Sequence, residues 1–125
     1  MSEIETVNAV IESARFDTER GLSAWLMLDY GGSGQGFGGY LLYGPKGWAA
    51  HSSGNFAGHF IWRCLEIAGV DDWSKLRGRT IRVRREHSKV HAIGHIIKDD
   101  WFDPSQELAS IQKALTPVPT LKGNQ

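Results

Sequence analysis

The sequence predicts an α+β domain: an antiparallel sheet of about five strands packed with one main helix and a short C-terminal helix, in the order β-β-β-α-β-β-α. Two hairpin-like pairs of apolar, β-branched runs lie toward the two ends of the chain, each pair joined by turn residues. Between them the apolar residues take up helical spacing. No linker is long enough to split the 125 residues, so 1–125 reads as a single domain with a folded core over 5–115 and an extended tail over 116–125.

The first strand is expected from Val7 to Phe16, where Val7, Ala9 and Ile11 alternate with polar neighbours. Asp17 to Gly21 supplies turn chemistry, and Leu22 to Tyr30 forms the returning strand. The glycine-rich stretch DYGGSGQGFGGY follows at 29–40 and reads as a corner leading to a short strand, Tyr40 to Tyr43, which stops at Gly44-Pro45. A polar loop with Trp48, His51, Ser52 and Ser53 comes next.

From Asn55 to Ala68, Ile61, Cys64, Leu65 and Ala68 fall on one helical face. Ser52 or Ser53 suits its start and Gly69 its left-handed end. His59, Arg63, Glu66 and Trp62 lie off that stripe, and Trp62 suggests a second interface. Residues 71–78 predict one helical turn. Thr80–His87 and Val90–Ile97 predict a hairpin turning around Ser88-Lys89, and Asp103-Pro104 opens a weak helix, Ser105 to Leu115.

Composition excludes several classes. Hydrophobic residues at 41% and charged residues at 22% are ordinary for a folded domain. Fourteen basic residues balance fourteen acidic ones, so net charge does not point to an anionic partner. The lone Cys64 excludes an internal disulfide and suits a reducing compartment. No apolar run approaches the ~20 residues of a membrane helix, and the acidic start MSEIET does not resemble a signal peptide. The expectation is a soluble intracellular protein.

Gly34-Gln35-Gly36-Phe37-Gly38-Gly39 matches G-x-G-x-x-G as a string, but a dinucleotide site needs that string to open a helix, and a strand-like YLLY follows. A Walker lysine is missing too. Charge placement says more. Between 77 and 91, Arg77, Arg79, Arg82, Arg84, Arg85 and Lys89 face only Glu86. On a strand Arg82 and Arg84 share one face, while Arg85 and His87 share that of Ile81 and Val83. An arginine on the apolar face needs a partner, either a carboxylate of the fold or a phosphate gripped by two hydrogen bonds, and a solvated basic edge that guards the strand is the third alternative.

His87, His91 and His95 recur at every fourth position but straddle the expected turn, so a shared metal is not expected. Asp99, Asp100 and Asp103 fit helix capping. No nucleophile elbow or paired carboxylates suggest catalysis. Phe37, Tyr40, Trp48, Trp101 and Phe102 lie in or beside expected loops, where flat rings can stack on bases or fill the core.

The order of these segments resembles the phage Thoeris anti-defence family, the first type described. The resemblance runs from about Ile11 to Asp103. It rests on Gly38-Gly39-Tyr40, on Ala68-Gly69-Val70 after the helix, on Asp72-Trp73 with Leu76-Arg77-Gly78 leading into Ile81-Arg82-Val83, and on Ile93-Gly94-His95 with Trp101-Phe102-Asp103. It implies a non-enzymatic sponge acting in the cytoplasm of an infected bacterium. Such proteins hold glycocyclic ADP-ribose signals made by TIR-domain proteins, and some hold the cyclic di- or trinucleotides of CBASS defence, without cleaving them. The resemblance also implies homo-oligomers, from dimers to hexamers, with pockets at subunit boundaries and with no metal or cofactor.

For that role Arg82, Arg84, Arg85, His87, Ser88 and His91 are the anion-contacting candidates. Phe37, Tyr40 and Trp101 are candidates for base stacking, and Asn55 and His59 for contacts at the helix start. The hairpin turn Arg85 to Lys89 is where family members differ most, which leaves ligand preference open. The alternatives are a nucleic-acid-binding protein using the same hairpin and a phosphodiesterase that degrades the signal.

Overall fold

The computed structural model describes residues 3–19, 21–43 and 54–115. The expected loop with Trp48, His51, Ser52 and Ser53, and the tail 116–125, lie outside the described residues. The elements are β1 (Glu5–Asp17), β2 (Leu22–Asp29), β3 (Gly34–Tyr43), α1 (Gly54–Ala68), a 3-10 turn (Trp73–Lys75), β4 (Thr80–Glu86), β5 (Lys89–Gly94), β6 (Trp101–Phe102) and α2 (Pro104–Leu115). Among the described residues the strands form one six-stranded antiparallel sheet in the order β3-β2-β1-β4-β5-β6. The α+β expectation therefore holds. The unforeseen sixth strand has two residues, too few for alternation to reveal it, and is defined by pairing with Ile93 and Gly94.

One face of the sheet is apolar. Ala9 and Ile11 of β1, Ala24, Leu26 and Leu28 of β2, Ile81 and Val83 of β4, and Val90 and Ile93 of β5 are buried. The chain leaves β3 at one edge and α1 covers this face before β4 enters beside β1. The expected helical stripe is only partly the buried one. Cys64 and Ala68 are buried, but Ile61 and Leu65 are half-buried, and Phe56, Phe60 and Ile67 take the centre.

The reason lies in the curl of the sheet. Phe37 from β3 and Phe102 from β6, at opposite edges, both meet the ring of Phe60, at 5.8 and 5.4 Å between centroids. Each such aromatic pair adds about 0.5–1.5 kcal/mol beyond its buried area. After α1, the Gly69 and Val70 amides both donate to the Leu65 carbonyl, the expected C-terminal cap. Trp62 remains 62% exposed.

The glycine-rich stretch is not a corner before a strand. The turn is Tyr30–Ser33, and β3 starts at Gly34, so most of the glycines lie within the strand. Trp25 faces Gly38, whereas Ser23 faces Leu41, so β3 carries one extra residue there and forms a bulge. The indole of Trp25, on the face away from the core, lies over this segment. A Cβ at Gly39 would sit 2.3 Å from Trp25 Cζ2, and Gly39 has φ +76°, a region that side chains disfavour. The glycines accommodate an indole and a bulge.

Gly39→Ala is expected to lower stability by on the order of 2 kcal/mol through backbone strain and displacement of Trp25. Urea unfolding followed by tryptophan fluorescence measures it, and a midpoint equal to wild type would exclude this account of the glycines.

Candidate functional site

Strand alternation separates the arginines of β4. Ile81 and Val83 point into the core, and Arg82 and Arg84 point to the opposite face. There Trp101 of β6 lies across Gly94 of β5, where a Cβ would come within 2.6 Å of the indole. The Arg84 guanidinium carbon stands 3.8 Å from the centroid of this indole and that of Arg82 stands 4.9 Å away. Cation–π contacts of this kind contribute about 0.5–2 kcal/mol.

The two arginines are used differently. Arg82 donates from Nε to the His95 carbonyl and from Nη2 to the Lys98 carbonyl, both at 2.7 Å. It thereby holds the 95–100 loop that replaces the expected end of the strand Val90–Ile97. His95 organises the same loop, its Nδ1 accepting from the amides of Ile97 and Lys98 at 3.0 Å. Arg84 is exposed and makes no hydrogen bond or ion pair among the described residues. Its donors are free while one face rests on the indole.

Arg85 points to the other side of the hairpin, and its partner is the carboxylate of the fold. Nη1 donates to Glu5 at 2.6 Å and Nε to Gln35 Oε1 at 2.7 Å, and the guanidinium carbon lies 4.9 Å from the ring centroid of Tyr30. Gln35 uses its full hydrogen-bonding capacity: Oε1 also accepts from the Tyr30 hydroxyl at 2.6 Å, while Nε2 donates to the carbonyls of Glu86 and His87 at 3.2 and 3.1 Å. One amide from the glycine-rich strand thus secures the basic hairpin. Burial pushes the Tyr30 phenol up from its ordinary value, against the opposing pull of Arg85.

The other nominated residues are dispersed. His91 pairs with Glu86, and His87 and Ser88 are exposed in the turn that ends β4, so His87 does not share the strand face of Ile81 and Val83. His87, His91 and His95 do not converge. His59 pairs with Glu107 of α2, and Asn55 lies in the first turn of α1, its side chain outside the described residues. Phe37 is 2% exposed and stacked on Phe60, so base stacking is not open to it. Tyr40 is half-buried against Phe56 and Phe60 in the core. Phe37 lies inside a strand that faces α1, and its burial corrects the stacking expectation for that ring. Arg82, Arg84 and Trp101 are the nominated residues that meet.

A comparison with protein-family models, curated proteins and solved structures finds no match to this chain. The geometry therefore has to carry the functional reading. Two cavities elsewhere, of about 480 Å³ beside Glu12, Trp73 and Arg77 and about 160 Å³ beside Trp62 and Val70, contain none of the nominated residues.

Sequence reasoning missed the group that holds Trp101 in place. Arg63 of α1, its side chain 13% exposed, donates to Asp100 at 2.9 Å, to the Trp101 carbonyl at 2.8 Å, to Glu66 at 2.8 Å and to Glu107 at 3.2 Å. Burial opposes its charge, but the bonds to Asp100 and Glu66 outweigh that and raise its pKa. Only Asp103 of the aspartate cluster caps α2, accepting from the Gln106 amide at 3.2 Å; Asp100 belongs to Arg63. Burial pushes the Cys64 thiol up, which keeps it protonated and unreactive.

The hydrogen bond from Arg63 holds the Asp100 carboxyl below its ordinary value. A group with a depressed folded-state pKa contributes stability above its unfolded value and loses that contribution as pH falls through the folded one. Asp100→Asn is expected to cost about 1 kcal/mol or less at neutral pH. Its melting temperature should converge with that of wild type below about pH 4, the ordinary aspartate value; a difference independent of pH would exclude the pairing.

Proposed function

We propose that this protein binds a cyclic ADP-ribose-type or cyclic oligonucleotide signal and holds it without cleaving it. The observation that carries the reading is Arg84, an exposed guanidinium with no carboxylate partner among the described residues, seated on Trp101 and beside Arg82. Such a ligand offers phosphates, which a planar guanidinium grips through paired N–H groups, and bases, which stack on flat faces. The cyclic signal, the sponge role and the cytoplasm of an infected bacterium are what the ordered resemblance to the Thoeris anti-defence family implies.

The platform lies on the sheet face away from the core, with Arg84 exposed. A compact ligand held tightly there needs a second wall, and the homo-oligomer implied by the resemblance, with pockets at subunit boundaries, would supply it. Sequestration needs no positioned nucleophile or metal. The same openness favours a second reading, a single-stranded nucleic acid lying along the face, which a steep salt dependence of binding would identify.

The test is to load the protein with cyclic nucleotides, remove free ligand, denature it by heat and analyse what is released. Intact ligand supports the sponge; cleaved ligand would make the protein a phosphodiesterase. Capture of oligonucleotides but not of cyclic signals would favour the nucleic-acid reading. Arg84→Ala is expected to weaken capture by roughly tenfold or more, the size of a lost charge-assisted hydrogen bond, and to lower the melting temperature by only a few degrees through the lost contact with Trp101. Equal affinity in calorimetry would remove Arg84 from the site.

A further inference from the structure

The environment of Arg85 is built more firmly than an ordinary ion pair requires. Its Nε is fixed by Gln35, its plane lies by Tyr30, and Gln35 is itself fixed by the Tyr30 hydroxyl and two hairpin carbonyls. The Arg85 side chain is 18% exposed, whereas its partner Glu5, at the first residue of β1, is 56% exposed. A preorganised guanidinium is thus met by a loosely held carboxylate. Only Nη1 reaches Glu5, and Nη2 has no partner among the described residues.

We infer that Glu5 occupies, on Arg85, the place of a phosphate group, and that this second anion position takes a phosphate or pyrophosphate ligand when Glu5 swings away. Displacement is cheap, since the Glu5 carboxylate is more than half exposed and water can replace its single bond to Arg85. The gain is a two-point grip on Nη1 and Nη2, the geometry that phosphate oxygens share with carboxylates. The guanidinium does not have to move, because Gln35 already fixes it. Arg84 and Arg85 point to opposite faces of the hairpin, so this position is distinct from the Trp101 platform and is tested separately from the cyclic-signal reading.

The experiment is calorimetry at low salt with inorganic pyrophosphate and with linear ADP-ribose, which separates a free anion site from the phosphates of a nucleotide. Glu5→Gln keeps the shape of the side chain and removes its charge. It is expected to tighten binding of at least one probe roughly three- to fivefold, the size of the ion pair removed. Adding Arg85→Gln should abolish that gain. Glu3→Gln, which changes net charge equally but has no contact with Arg85, should give no gain.

Tighter binding by Glu5→Gln alone, lost with Arg85→Gln, supports the assignment. Unchanged or weaker binding, a gain that survives Arg85→Gln, an equal gain in Glu3→Gln, or no binding of either probe by any variant overturns it. Capture of cyclic signals through Arg84 is measured independently, so either result can fail without the other.

Discussion

The meeting of three phenylalanines from distant parts of the chain is the constraint on which the rest of the fold depends. Phe60 on α1 is touched by Phe37 from one edge of the sheet and by Phe102 from the other. A flat six-stranded sheet would hold its edge strands more than 20 Å apart at a spacing of about 4.8 Å. The two edges reach a single ring only because the sheet curls around the helix. Burying these rings, each nearly or fully excluded from solvent, is the gain that offsets the bending of the sheet.

Several local features follow from that curl. The outer side of the bent sheet must accept Trp25, and a glycine-lined, bulged β3 gives the indole a surface to lie on. Bringing β3 toward the β4–β5 hairpin lets Gln35 reach the carbonyls of Glu86 and His87. At the other edge, Gly94 accepts Trp101 while Arg63 ties the Trp101 carbonyl and Asp100 to α1. The arginines of the hairpin are thereby divided between an exposed one on an outer indole, one that ties down a loop, and one on the opposite side, held by Gln35 and Glu5. Fold and candidate site share the same packing.

This division gives physical content to a charge cluster that composition leaves ambiguous. A guanidinium already satisfied by backbone carbonyls, as in Arg82, has little left for a ligand, whereas Arg84 makes no side-chain hydrogen bond among the described residues and has its plane set. Arg85 lies between these cases, fixed from behind and opposed in front by a carboxylate that is itself half free. Burial and hydrogen bonding, more than net charge, decide which cations in the hairpin are usable.

The sequence by itself determined the α+β class, the β1–β2 and β4–β5 hairpins, the presence of α1 and its glycine cap, because these depend on periodicity and turn chemistry within a few residues. It also identified the arginine face of β4, since strand alternation is a local rule. Only the tertiary structure decided the two-residue β6, the use of the glycines as a seat for Trp25, and the burial of Phe37. It alone decided the partners of Arg85 and Arg63, residues 80 and 37 positions from Glu5 and Asp100. Contacts across such separations arise from the curl of the sheet, and no local pattern encodes them.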